Sequence, residues 1–368
     1  MWLQKLSLVN FKNYSEAELK FSASVNAFTG NNGAGKTNLM DAIHYLSLCK
    51  SYFNPIDGQQ IKHNLDFFMV QGVFNKDENH EQISCGLKRG QKKQFKRNKK
   101  EYQRLADHIG LFPLVMISPN DIDIILGGSE ERRRFIDNVI SQTDHQYLDE
   151  LILYNKNLQN RNALLRQINL TGKYDPDLLD VYDQQLILSG NRIFDKRRAF
   201  MEEFVEIFNR HYLYLSEGAE TVEMVYDSPL FTNDFAGLLK QCLERDRLLE
   251  RTTIGIHKDD LVFTLENMPL KKFGSQGQQK SFLIALKLAQ YTFLQKEKGF
   301  KPLLLLDDIF DKLDDHRTQK LMKMVSNKDF GQIFITDTSR TRIEHIFNKI
   351  NFPVSIFNID RGEVMVSD

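Results

Sequence analysis

Residues Gly30-Asn31-Asn32-Gly33-Ala34-Gly35-Lys36-Thr37 match the pattern G-x-x-x-x-G-K-[ST] in full, and no other stretch restricts the fold as much. Ahead of it Val25-Asn26-Ala27-Phe28-Thr29 reads as a short buried strand. Behind it Leu39, Met40, Ile43, Leu46 and Leu48 recur at helical spacing, so the loop joins a strand to a helix. In that context the three glycines let the backbone wrap with its N–H groups inward, and the helix N-terminus adds a positive end. Lys36 is then placed to reach the β- and γ-phosphates of ATP, and the Thr37 hydroxyl to ligate Mg²⁺. Gly30 to Thr37 are the expected nucleotide-binding residues, with Lys36 also catalytic.

A chain of 368 residues, 41% hydrophobic and 27% charged, has room for a nucleotide-binding core and a second subdomain. Its formal net charge is zero, so a nucleic-acid partner has to be met by local patches and not by the field of the whole molecule. Cys49, Cys85 and Cys242 are odd in number and far apart, which argues against a disulfide frame or zinc site and fits a reducing cytoplasm. No run of about 18 apolar residues occurs, nor a signal-peptide layout, so no membrane association is expected.

Before the loop, residues 2 to 29 read as two or three strands, with Leu3, Leu6, Leu8 and Phe11 in the first. Phe67–Phe74 and Gln82–Leu87 read as two more, joined by a turn at 75 to 80, implying an antiparallel sheet beside the nucleotide. Lys88 to Lys100 holds eight Lys or Arg among thirteen residues around Phe95; it is either the solvated tip of a hairpin or a phosphate-contacting patch. Leu111–Ile117 reads as a buried strand. Ser129 suits an N-cap for a helix carrying Arg132, Arg133 and Arg134, which must point to at least two faces. Apolar spacing predicts a helical hairpin, one helix from about 145 to 168, roughly 35 Å long, and a longer one from about 178 to 214. Sustained heptads are lacking.

Lys301-Pro302-Leu303-Leu304-Leu305-Leu306-Asp307-Asp308 has the form of a buried parallel strand delivering carboxylates to its C-terminal edge. This is a Walker B pattern: Asp307 is expected to hold Mg²⁺ and Asp308 to polarise an attacking water. Phe273-Gly274-Ser275-Gln276-Gly277-Gln278-Gln279-Lys280 opens a helix with Phe282, Leu283, Leu286, Leu288 and Ala289 on its apolar face. A plain capped helix would look the same, but a second phosphate cradle is what a composite ATP site needs, and Ser275, Gly277 and Gln278 are assigned to it.

Taken together, these motifs resemble the RecF family of bacterial repair ATPases, relatives of ABC and SMC heads, over the whole chain. The resemblance is carried by Leu6-Ser7-Leu8-Val9-Asn10-Phe11-Lys12-Asn13-Tyr14, by the P-loop and Asn38 to Ile43, and by Ser118-Pro119-Asn120-Asp121 and Arg132 to Asp137. Ser275-Gln276-Gly277-Gln278 matches its signature and Leu313-Asp314 the end of its D-loop. Ile256 and Lys258 stand where the family usually has Pro and Arg, Asp311-Lys312 replaces Ser-Glu, and Asp337 falls at the switch histidine of ABC transporters. The resemblance implies an α/β fold: an ABC-type ATPase head with mixed sheets around the P-loop and an α-helical second lobe bearing the hairpin. Lobe I is expected at 1–117 with about 297–368, and lobe II at about 118–296 with the signature at 274–280. It also implies DNA binding, ATP-dependent homodimerisation, slow ATP hydrolysis, and work with RecR and RecO to bring RecA to single-stranded gaps in the bacterial cytoplasm.

An ABC transporter subunit would not separate Lys36 from Ser275 by about 240 residues, and an SMC rod would need long heptads. A nucleotide-gated scaffold with negligible turnover stays open, because Asp308 stands in place of the more usual catalytic glutamate. His257, isolated beside two acids, is assigned no role.

Overall fold

Two six-stranded sheets enclose the helix that follows the glycine-rich loop. The computed structural model describes residues 1–77, 79–172, 175–218, 220–310 and 315–366, and the chain divides into unit 1, Met1–Asp121 with Ile284–Asp368, and unit 2, Ile122–Leu283. The breaks expected near 117 and 297 fall at 121 and 283 instead. The second lies inside a continuous helix that lacks glycine and proline between Gly277 and Gly299, so no linker marks it. Asp311, Lys312, Leu313 and Asp314 of the expected D-loop lie outside the described residues, as do Lys173 and Tyr174 of the expected hairpin turn.

In unit 1 the first sheet is antiparallel, in the order β2-β1-β4-β5-β6-β7. Its strands are β1 (Trp2–Phe11), β2 (Tyr14–Lys20), β4 (Phe67–Lys76), β5 (Asn79–Lys88), β6 (Gln94–Arg97) and β7 (Lys100–Glu101). The register of β1 on β4 shifts between Leu3 and Lys5. That irregularity explains how Leu3 and Leu6, three apart, both face the core in a strand whose side chains alternate. β4 and β5 run longer than expected, because they pair continuously from Phe67↔Lys88 to Lys76↔Asn79.

The second sheet has the order β15-β14-β3-β13-β12-β8, formed by β3 (Val25–Thr29), β8 (Leu114–Ile117), β12 (Leu303–Leu306), β13 (Ile333–Asp337), β14 (Val354–Asp360) and β15 (Glu363–Val366). Its inner pairings are parallel, and β3, β8, β12 and β13 are buried along their whole length, as strands covered on both faces must be. The strand expected from Leu111 starts only at Leu114. α1 (Lys36–Leu48) shares one core with both sheets: Leu39, Met40, Ile43 and Leu46 pack with Leu6 and Phe68 of the first and Phe28, Leu305 and Phe334 of the second.

Unit 2 holds α2 (Asp123–Leu126), α3 (Ser129–Thr143), α4 (His145–Thr171), α5 (Pro176–Ser216), α6 (Phe235–Leu249) and α7 (Leu270–Phe273). It also holds a three-stranded sheet, β11-β10-β9, from β9 (Val222–Asp227), β10 (Asp260–Leu265) and β11 (Met268–Pro269). α8 (Gln276–Lys298) begins in unit 2, and α9 (Asp315–Ser326) and α10 (Arg340–Lys349) belong to unit 1. Ser129 is the first helical residue and not the cap: Gly128 holds that position and no side chain bonds the helix start.

α4 and α5 form the antiparallel hairpin, joined by Lys196–Asp144 at 2.6 Å, Arg192–Glu150 at 2.5 Å and Arg161–Asp183 at 2.5 Å, pairs that advance along one helix as they recede along the other. Arg161 and Arg197 are completely enclosed. Arg161 also binds Asp246 at 2.7 Å, and Arg197 binds Asp137 at 2.8 Å and Asp259 at 3.4 Å. Removing one partner of such a pair typically costs about 3–5 kcal/mol. No helix among the described residues is long and apolar enough to cross a membrane.

Candidate nucleotide-binding site

Between the end of β3 and the start of α1, φ is +147° at Gly30, +78° at Gly33 and +119° at Gly35. A Cβ on Gly30 would lie 2.1 Å from the Ile359 carbonyl oxygen, and one on Gly35 would lie 2.5 Å from Asn13 Nδ2 and 2.9 Å from Tyr14 Oη. Glycine at these two positions is required by conformation and by packing, whereas around Gly33 nothing stands within 4 Å.

The loop is braced from two turns far from it in sequence. Asn13 Nδ2 donates to Ala34 O at 2.9 Å and its Oδ1 accepts from Asn38 Nδ2 at 2.7 Å, while the Tyr14 hydroxyl donates to Gly35 O at 3.0 Å. The Gly362 N–H, between β14 and β15, also donates to Ala34 O at 2.9 Å. The carbonyls just ahead of Lys36 are thereby held. Asn31, Asn32 and Gly33 form an exposed tip. Lys36, only 4% exposed, folds back across the loop, its Nζ donating to Gly30 O at 2.8 Å and Asn31 O at 3.0 Å.

Strand order brings the Walker B acids to this loop. β13 lies between β3 and β12, so its Thr336 stands beside the acids at the end of β12. Thr37 Oγ1 donates to Asp307 Oδ1 at 3.0 Å, and Thr336 Oγ1 donates to the same oxygen at 2.8 Å. The Thr336 hydroxyl also accepts the Asp308 N–H at 2.8 Å, and Asp308 sits in the left-handed region at φ +46°. Oδ2 of Asp307 carries no hydrogen bond among the described residues. Burial pushes the Asp307 carboxyl above its ordinary pKa and Asp308 pushes the same way, against the hydroxyls of Thr336 and Thr37 and the Lys36 ammonium. A buried acid beside a second acid, with one oxygen anchored and the other open next to a threonine hydroxyl, is a donor set that suits a hard divalent cation.

Asp337, 2% exposed, accepts from Arg342 Nη2 at 2.8 Å and from the Ser339 N–H at 2.6 Å, so the residue at the switch position is tied into the start of α10. Ser275, Gly277 and Gln278 belong to unit 2 while the P-loop and Walker B acids belong to unit 1. Ser275 is exposed and forms a reciprocal capping box: its N–H donates to Gln278 Oε1 at 2.7 Å and its Oγ accepts the Gln278 N–H at 3.2 Å. Gln278 Nε2 further donates to Glu220 at 2.9 Å. Sequence reasoning missed Thr336, Asn13 and Tyr14 as site residues; only the polar Asn between Phe11 and Tyr14 at a strand break hinted at the brace.

The basic segment proves to be the β5-β6-β7 edge of the antiparallel sheet. Phe95 is buried, Lys93 binds Asp57 at 2.8 Å and Cys49 O at 2.7 Å, and Arg97 grips Glu81 at 2.6 and 2.9 Å. Lys88, Arg89, Lys92, Lys99 and Lys100 face solvent. On α3, Arg132 pairs with Asp260 at 2.6 and 2.9 Å, Arg133 donates to Asp259 O, and Arg134 pairs with Glu130 and Glu131.

The model of the RecF/RecN/SMC N terminal domain matches residues 2–361. A protein of Flavobacterium johnsoniae named DNA replication and repair protein RecF is 52% identical over 98% of this chain and 100% of its own length. The chain belongs to the RecF family. A RecF of Bacteroides thetaiotaomicron is 49% identical over 99% of this chain and 98% of its own, so the family of DNA replication and repair proteins is matched from end to end. Among solved structures, the recombination mediator protein RecF-ATP of the RecFOR pathway has a TM-score of 0.91 at 30% identity, covering 100% of this chain and 98% of that one. An Smc head domain from Pyrococcus furiosus, with TM-score 0.58 and 18% identity over 100% of this chain and 96% of that one, shares the fold of the ATPase head. The expected α/β head with mixed sheets agrees with these likenesses.

Proposed function

We propose that this RecF-family chain is an ATP-operated DNA repair switch: residues Gly30 to Thr37 take ATP, and Thr37 with Asp307 take Mg²⁺. One observation carries the reading. Thr37 and Thr336 anchor a single oxygen of the buried Asp307 and no described residue bonds the other, beside a loop whose lysine already lies across it. The RecF-ATP neighbour supports it from outside the chain.

Lys36 supplies positive charge to the β- and γ-phosphates, and the loop backbone cradles them. Bound Mg²⁺ would offset phosphate charge during transfer to water. Asp308, fixed through its N–H by Thr336, orients that water; an aspartate in this place reaches less far than a glutamate, which fits slow turnover used as a timer. Ser275 and the start of α8 contact the γ-phosphate held by a second copy, so ATP and not ADP joins two chains. The switch acts in the cytoplasm on DNA with single-stranded gaps, with RecR and RecO as partners in bringing RecA.

Sedimentation velocity and nucleotide titration test the core of this. The unmodified chain with ATP and Mg²⁺ is expected to sediment as a larger species than with ADP. Ser275→Arg should bind ATP and stay small, and Lys36→Ala should fold and lose ATP affinity by more than tenfold. A folded Lys36→Ala protein with unchanged affinity would overturn the assignment of the loop.

A further inference from the structure

We propose that Arg251 and Lys258, backed by Arg133, form a second phosphate-binding site, on unit 2, that takes the backbone of a polynucleotide. The inference rests on the DNA-repair reading, and concerns a motif, Gly255 to Asp260, to which the ATP site gives no work.

The segment is built as a rigid mount. The Lys258 N–H donates to Gly255 O at 2.8 Å and closes a tight turn. Gly255 has φ +126°, and a Cβ there would stand 2.6 Å from Tyr154 Oη and 2.7 Å from the Phe235 ring, so the turn is pressed against α4 and α6. Two of its carbonyls are engaged by arginines, the buried Arg197, whose Nη1 donates to Ile256 O at 2.8 Å, and the half-buried Arg133, whose Nη1 donates to Asp259 O; His257 Nε2 donates to Thr252 O at 3.1 Å. His257 Nδ1 in turn accepts from the Tyr154 hydroxyl at 2.7 Å. Burial pushes the His257 pKa down to about 4, so the imidazole is neutral and serves as a pin. The chain just after Arg251 is tied down as well: Thr252 N donates to Asn162 Oδ1 at 2.7 Å and its hydroxyl accepts from Arg161 Nη1 at 2.9 Å.

What this mount carries outward is positive charge. Lys258 and Arg251 are exposed, and neither has an ion pair or side-chain hydrogen bond among the described residues. The acids around them each bond another group, although Asp259 keeps one buried oxygen without a partner among the described residues. Asp246 binds Arg161 and Thr253, Asp259 binds Arg197 and Tyr226, and Asp260 binds Arg132. Partial burial and the nearby Arg251 and Arg133 hold the Lys258 ammonium below its ordinary pKa, against the opposing pull of Asp246. The hydrogen bonds hold the backbone that carries Lys258 and Arg251 and leave both side chains free to meet a phosphate. In a chain with zero net charge, affinity for a polyanion has to come from patches of this kind.

The test is fluorescence anisotropy of a labelled gapped duplex with the full chain over a salt series. Each neutralised phosphate contributes about 0.9 to the slope of log K against log salt. Arg251→Gln with Lys258→Gln should therefore shallow the slope by about two and weaken binding by tenfold or more, with an unchanged melting curve. Lys258→Arg, which keeps the charge, should retain the slope. Tight DNA binding by the unmodified chain with an unchanged slope in the double variant would overturn this site and leave the DNA reading standing; no DNA binding by the unmodified chain would remove both. ATP titration of the same proteins separates phosphate sources: equal ATP affinities support a polynucleotide site, and loss of ATP affinity with intact DNA binding would refute it.

Discussion

The three glycines of the P-loop look equivalent in sequence, yet their surroundings predict unequal costs on substitution by alanine. In Gly30→Ala the new Cβ would start 2.1 Å from the Ile359 carbonyl oxygen, 1.3 Å inside the 3.4 Å where ordinary contact begins. That oxygen is main chain and cannot rotate away. Ile359 lies in β14, which pairs directly with β3, and its side chain is 1% exposed in the core of unit 1, so relief requires shifting a strand. Backbone strain of about 1–3 kcal/mol at φ +147° and overpacking of about 1–3 kcal/mol give a loss of about 2–6 kcal/mol. Gly33→Ala meets nothing within 4 Å and should cost only the left-handed preference, about 1–2 kcal/mol. Urea unfolding followed by the fluorescence of Trp2, the single tryptophan and a residue of unit 1, measures both. Gly30→Ala should unfold at a much lower urea concentration than Gly33→Ala. Equal midpoints would refute the claim that packing, beyond conformation, demands glycine at 30.

Three further outcomes are expected. Thr336→Val keeps the shape but removes the donor to Asp307 and the acceptor of the Asp308 N–H; Mg²⁺-dependent nucleotide affinity should fall about 10–100-fold, the range for losing a bond to a charged group. Affinity measured without Mg²⁺ should hold, and Thr336→Ser should restore the difference; titrations with and without the metal decide. Along the sheet edge, Lys92→Gln with Lys96→Gln and Lys99→Gln should shallow the salt dependence of DNA binding by about one unit for each phosphate no longer neutralised. Lys93→Gln should instead lower stability by about 1–3 kcal/mol, because it strips a half-buried ion pair and a carbonyl bond. An unchanged slope in the triple variant would leave that edge a solvated hairpin.

Much of this chain was legible locally. The glycine loop, the apolar run ending at Asp307 and Asp308, the capped start of α8 and the helical hairpin are each written within a short window, where turn chemistry, strand burial and helical period act on neighbours. Strand pairing and boundaries were less so. Nothing near Val222 or Asp260 announces that these segments pair, and the small sheet of unit 2 went unread. Among the eight basic residues from 88 to 100, composition could not separate Lys93 and Arg97, held by Asp57 and Glu81, from those left in solvent. The same limit applies at the site. Thr336 reaches Asp307 because β13 lies between β3 and β12, and Asn13 reaches Ala34 because the β1-β2 turn lies against the loop. The bonds that brace the loop from other elements and gather the acids join positions at least 21 residues apart, and a hydrogen bond between distant strands leaves no mark on the spacing of residues along either one.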